Sequence, residues 1–171
     1  MNKIKLVGLL AVMALPACMP QMPGPGMMPD VAPVAEPVAA AQVDSAQIQA
    51  RVLQQINTLR GNIGLNPLVQ SPQLDAAALQ HSRDMSAQNR AWHWGSDGTS
   101  PLDRARSQGY GGRILGENIS ESYEDDMQTL SAWMSKRDTR DVIMDPAAVN
   151  LGFAWYKEAS GKLWWTLLAG T

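Results

Sequence analysis

Four stretches of this chain carry apolar side chains at helical spacing, and three alternate as strands do. Ile48, Val52, Leu53, Ile56 and Leu59 recur every three or four residues after Asp44-Ser45, which can cap a helix start; Gly61 and Gly64 close the run. Ser71-Pro72 sets a capping hydroxyl before a proline at the first helical position and opens a second helix through Leu74, Ala77, Ala78, His81 and Met85. Ser100-Pro101 repeats the device for a short helix to Gln108, stopped by Gly109. A fourth helix, from about Asp125 to Lys136, buries Met127, Leu130, Trp133 and Met134.

Ile114 to Ser122 reads as one strand. Asn150 to Glu158 and Lys162 to Ala169 form the clearest pair, joined by Ala159-Ser160-Gly161, with glycine where a hairpin loop needs a positive φ. These strands are apolar on both faces. Leu151, Phe153 and Trp155 alternate with Ala154 and Tyr156; Leu163, Trp165 and Leu167 alternate with Trp164 and Leu168. A sheet apolar on both faces must be covered on both. The predicted fold is α+β, a three-layer α-β-α sandwich with a small antiparallel sheet between helices.

The start of the chain changes the picture. Residues 1–17 carry Lys3 and Lys5, an apolar run from Leu6 to Leu15 too short to span a bilayer, and Ala17 before Cys18. That pattern is a secretory leader, and Leu15-Pro16-Ala17-Cys18 resembles the bacterial lipoprotein box, whose cysteine becomes the lipidated mature N-terminus. Cys18 is the sole cysteine, so no intramolecular disulfide is possible. From residue 18 to 44 the chain is rich in proline, methionine and alanine. Pro20, Pro23, Pro25, Pro29, Pro33 and Pro37 argue against a helix and for an extended tether, which at about 3.1 Å per residue reaches roughly 70 Å. The methionines suit Cu(I), but proline-spaced composition favours a plain linker. Residues 45–171 are enough for one domain with one core. The formal charge is −2, more negative once the leader with its two lysines is removed, and no basic face offers a nucleic-acid site. A monomer attached to the membrane through Cys18 is expected.

Candidate chemistry concentrates between Trp92-His93-Trp94-Gly95-Ser96-Asp97-Gly98 and Gly116-Glu117-Asn118-Ile119. An imidazole and a carboxylate are the minimum for holding a metal or moving a proton. With Ala76-Ala77-Ala78-Leu79-Gln80-His81-Ser82-Arg83-Asp84-Met85 upstream and Trp133-Met134-Ser135 downstream, this ordered set resembles the CAP superfamily, or SCP domain, of cysteine-rich secretory, antigen 5 and pathogenesis-related proteins. The resemblance runs from about Gln49 to the C-terminus and implies the same α-β-α architecture. It also implies a cleft of two histidines and one or two glutamates. His93 matches the first histidine and Glu117 the glutamate of the Gly-Glu-Asn motif. Thr139 stands where the second histidine belongs, with Arg140 and Asp145-Pro146 in register, and Ser135 lies nearest the place of a second glutamate.

Zinc takes four ligands, or three and a water, and His93 with Glu117 supplies two, so any zinc binding should be weak and incomplete. Asp138 would substitute only if the turn expected at Arg137-Asp138-Thr139 shifts by one residue, and Glu121 or Glu124 only by approaching the pair; neither follows from the sequence. Trp92 and Trp94 flank His93 and are candidates for the cleft mouth. His81 on the apolar face of the second helix reads as a hydrogen-bonded core residue, paired locally with Asp84, and Arg104 as a clamp on a loop carboxylate. No catalytic residue is assigned. The resulting expectation is a lipid-anchored cell-envelope protein whose domain binds a lipid or another envelope component without turnover. One alternative is a metal-assisted hydrolase of a peptide or envelope polymer, with Glu117 as base and His93 as metal ligand; another is a scaffold for partners.

Overall fold

The computed structural model describes residues 36–122 and 124–171, with side chains from Asp44 onward. The leader, Cys18 and most of the expected tether lie outside these residues. In chain order the elements are α1 (Glu36–Gly61), β1 (Val69–Gln70), α2 (Pro72–Gln88), α3 (Pro101–Ser107), β2 (Ile114–Ser122), α4 (Asp126–Ser135), α5 (Arg137–Ile143), β3 (Asn150–Lys157) and β4 (Leu163–Gly170).

The caps read from sequence set the helix starts. Ser71 Oγ accepts from the Leu74 amide at the head of α2. Ser100 and Asp103 form a reciprocal capping box on α3, and Asp125 and Gln128 form another on α4. β3 and β4 pair antiparallel across a loop in which Gly161 has φ +89°, as the turn requires. β2 pairs antiparallel with the other side of β4.

Alternation along the strands divides two cores. Leu151 and Phe153 of β3 with Trp165, Leu167 and Ala169 of β4 face Val52 and Ile56 of α1, Leu130 and Trp133 of α4 and Ile143 of α5. Phe153 stacks on Trp165 at 5.7 Å between centroids and meets the edge of Trp133 at 6.3 Å. On the other face, Ala154 and Leu168 meet Leu74, Ala77 and Ala78 of α2, Ala105 of α3, and Tyr110. A Cβ on Gly152 would lie 2.3 Å from the Leu74 backbone, so glycine there lets α2 press against β3. Helices thus cover both faces of one sheet, in strand order β1-β3-β4-β2.

Three features depart from expectation. The sheet is mixed, not purely antiparallel, because the two-residue β1 pairs parallel with Asn150–Leu151 at the edge of β3. A strand of two residues has no periodicity to read. α1 begins at Glu36, well before Asp44-Ser45. Pro37 falls in its first turn, where a missing amide hydrogen has no intrahelical partner to lose. Finally, Arg137 to Ile143 is a helix instead of a turn, a polar one burying Ile143.

Candidate functional site

Glu117 is drawn to the α2/α3 side by strand register. It lies opposite Leu168, which packs in that layer, whereas the next residue, Asn118, lies opposite Leu167 and faces the other layer. Glu117 is consequently buried among side chains of α2 and α3. Arg104 Nη2 of α3 donates to its Oε2 at 2.7 Å, with both side chains 2 % exposed. His93, on the connection between α2 and α3, places Nδ1 2.9 Å from Glu117 Oε1. The His93 ring is 55 % exposed, so one edge meets the carboxylate and the other meets solvent.

The connection that carries His93 is held by its carbonyls. Arg104 donates to His93 O from Nη1 and Nη2, both at 3.1 Å, and from Nη1 to Thr99 O at 3.0 Å. His81, fully buried on α2, sets Nε2 2.9 Å from Trp92 O. The same nitrogen is 3.7 Å from Glu117 Oε1, beyond hydrogen-bond range. Burial pushes the His81 imidazole below its ordinary pKa; Glu117 opposes that and Arg104 reinforces it. His81 therefore stays neutral and ties the loop, not the carboxylate. The expected pairing with Asp84 does not form. Asp84 instead accepts from the Ser96 amide at 2.8 Å and the Ser96 hydroxyl at 2.6 Å, closing the far end of the same loop.

His93 and Glu117, read as a pair from sequence, are in contact. Trp92 is half-buried, donating from Nε1 to Gln88 Oε1 at 3.1 Å, with the Arg90 guanidinium 3.7 Å over its ring. Trp94 is 52 % exposed. Thr139 lies in the first turn of α5 with its hydroxyl donating to Trp133 O at 2.6 Å. Its carbonyl accepts from Asn118 Nδ2 at 2.8 Å, which anchors α5 beside the strand that bears Glu117. Asp138 and Glu124 are exposed, and Glu121 is 3.6 Å from Lys162, away from His93.

This donor set does not fit zinc. One Glu117 oxygen belongs to a buried guanidinium and the other to His93, and a threonine hydroxyl is a poor third ligand. Among the described residues no group of three or more His, Cys, Asp or Glu is placed to hold a metal ion. Sequence reasoning placed Arg104 against a loop carboxylate and His81 in the core. His81 is in the core, where it ties the carbonyl next to His93, while the carboxylate that Arg104 clamps is that of Glu117 on β2, an arrangement that only the packing of α2 and α3 on β2 creates.

A groove of about 450 Å³ runs between α1 and α4, lined by Gln55, Leu59, Met127, Leu130, Ser131 and Met134. None of these residues touches the histidine–glutamate pair through a hydrogen bond or ion pair among the described residues.

Residues 53–168, more than half of the chain, match the family described as the cysteine-rich secretory protein family, CAP, and the chain belongs to it. The fold is similar to an outer surface protein from Borrelia burgdorferi, at 16 % identity and TM-score 0.67, covering 73 % of this chain and 92 % of that one. It is similar to an extracellular SCP-domain protein from Bacillus anthracis, at 21 % identity and TM-score 0.67, over 74 % of this chain and 41 % of that one. A cysteine-rich secretory protein from Staphylococcus aureus aligns at 16 % identity and TM-score 0.54, over 74 % of this chain and 39 % of that one. The chain thus spans less than half the length of the latter two. No protein of curated function matches it.

Proposed function

We propose that this chain is an exported envelope protein, anchored by a lipid on Cys18, whose CAP domain binds an envelope lipid without chemical turnover. The observation that carries the absence of turnover is the state of Glu117: Arg104 holds one oxygen at 2.7 Å and His93 the other at 2.9 Å. A carboxylate held on both oxygens, one by a buried guanidinium, is poorly placed to act as general base or to open a metal shell. The α1/α4 groove supports the ligand class. Its walls are the aliphatic and thioether side chains of Leu59, Met127, Leu130 and Met134, which suit an acyl chain. The outer-surface and extracellular proteins of like fold support export.

The test is a titration of the purified domain with a fluorescent fatty acid. Met134→Arg should weaken binding at least tenfold, and His93→Ala should leave it unchanged. Equal binding by Met134→Arg removes the groove from the proposal. Release of products from peptide or envelope polymer, abolished by His93→Ala, transfers the protein to the hydrolase alternative. For the anchor, Cys18→Ser should move the protein from the membrane to the soluble fraction and abolish labelling by a fatty-acid analogue. An unlabelled wild type that fractionates like the variant removes the lipid.

A further inference from the structure

We infer that Arg104 is a positioning residue which, acting through Glu117, fixes His93 in one tautomer and turns its hydrogen-bond-accepting nitrogen towards solvent. This goes beyond the lipid-binding proposal and is independent of the ligand. Arg104 reaches Glu117 Oε2 at 2.7 Å and is itself buried, so its Nη2 needs an acceptor at that place. The opposite oxygen, Oε1, faces His93 Nδ1 at 2.9 Å. A carboxylate paired with a guanidinium only accepts, so in neutral His93 the proton sits on Nδ1 and the lone pair on Nε2. No described protein group takes Nε2, and the ring is more than half exposed.

The loop adds a second constraint. Arg104 also grips the His93 carbonyl with two nitrogens at 3.1 Å, so backbone and ring of His93 are oriented by the same cation. His81 fastens the preceding carbonyl, that of Trp92, at 2.9 Å. The surface between Trp92 and Trp94 therefore presents a fixed acceptor, complementary to a partner group that donates a hydrogen, such as a hydroxyl or an ammonium. A partner offering only acceptors meets a lone pair there.

The polarity of this chain of bonds gives a sharp test. In Glu117→Gln the amide has one acceptor and one donor end. Arg104 requires the acceptor, which leaves the NH2 facing His93 Nδ1. His93 must then accept at Nδ1 and carry its proton on Nε2, reversing the polarity shown to solvent. The chain has two histidines, so long-range 1H–15N correlation spectra at a pH where both rings are neutral are assigned with one His93→Gln control. In the wild type His93 should show a protonated Nδ1 and a bare Nε2. In Glu117→Gln the two should exchange, while His81 keeps its proton on Nε2 throughout. In Arg104→Met/Glu117→Gln the amide is free to rotate and can offer His93 either end, so the ring should populate both tautomers. A wild-type His93 protonated on Nε2, or a folded Glu117→Gln protein with the wild-type tautomer, overturns the inference. So does a folded double variant that keeps the reversed form alone. Should the double variant not fold, the first two spectra decide. Neither spectrum involves a fatty acid, so this result and the binding titration succeed or fail separately.

Discussion

Arg104 Nη2 and Glu117 Oε2 lie 2.7 Å apart, with both side chains 2 % exposed, joining α3 to β2 across the layer that also contains α2. Burying two charges is costly, and the pair is tolerated because the guanidinium also satisfies the carbonyls of His93 and Thr99. Breaking it from either side should have unequal consequences. Arg104→Met leaves a buried carboxylate without its cation and should cost about 3–5 kcal/mol. Glu117→Gln keeps a neutral acceptor for Arg104 and should cost about 1–3 kcal/mol. Urea denaturation of the three proteins measures both, and equal losses would contradict the account.

Asp75 supplies a pH prediction. Its Oδ1 accepts from the Phe153 amide at 2.8 Å and from Gln70, linking the head of α2 to β3 and β1. Burial raises its pKa from 3.8 to about 6; the two hydrogen bonds oppose the shift without cancelling it. The folded state therefore binds this proton more tightly than the unfolded chain does. The stabilisation is complete below about pH 3.8 and is lost as pH rises to about 6. Asp97, Asp103 and Glu158 are shifted down by their hydrogen bonds and act in the opposite direction, so the wild type alone does not isolate the effect. Asp75→Asn keeps the shape of the protonated acid and does not titrate. Relative to that variant, the wild type should lose about 2–3 kcal/mol between pH 4 and 6. A constant difference across that window would refute the assignment.

Arg60 should be among the most sensitive positions in the domain. Fully buried at the end of α1, it donates to the carbonyls of Asn66, Ile143 and Asp145 at 2.8–3.0 Å, with Ala148 O at 3.4 Å. Burial lowers its pKa and Asp145 offsets part of that. These carbonyls belong to the turn after α1 and to the segment joining α5 to β3, so one side chain fastens two chain reversals. Arg60→Met strands several buried acceptors at about 1–3 kcal/mol for each left unsatisfied, and should lower the melting temperature by ten degrees or more. Arg60→Lys, a point charge without the planar fork, should recover only part of the loss.

The same residues explain what the sequence made legible. Apolar spacing, capping hydroxyls and the Gly161 turn located α2, α3, α4, the β3–β4 hairpin and β2, because these are local signals. His93 and Glu117 were visible through motif. Arg104 and Arg60 were not visible as buried groups, since an arginine beside polar neighbours looks like a solvated face until a distant carbonyl or carboxylate is brought to it. The tie between His81 and Trp92 O likewise depends on how a loop folds back on a helix. α5 escaped because Arg137-Asp138-Thr139-Arg140-Asp141 has no apolar stripe, and its helix is fixed from outside through Asn118 and Trp133.

Position 139 tests how far the cleft is from a metal site. Asn118 Nδ2 donates to the Thr139 carbonyl at 2.8 Å on the face of β2 opposite Glu117, so residue 139 is tied to the strand that bears Glu117 without its hydroxyl entering the site. That hydroxyl donates to Trp133 O at 2.6 Å, and losing the bond in Thr139→His should cost about 1 kcal/mol. In return the variant supplies the imidazole that the family motif sets with His93 and Glu117; where it reaches round the edge strand β2 to them, three donors with one water form an open zinc site. Calorimetric titration near neutral pH should show weak binding by the parent and at least tenfold tighter binding by Thr139→His. The gain should stay modest because Glu117 must still serve Arg104. Adding Arg104→Lys, which loosens the fork on the carboxylate, should raise affinity further if that competition is the limit. Tight zinc binding by the unmodified protein, lost in His93→Ala, would instead mean that another side chain turns in to complete the shell, and the hydrolase alternative would then displace the binding module.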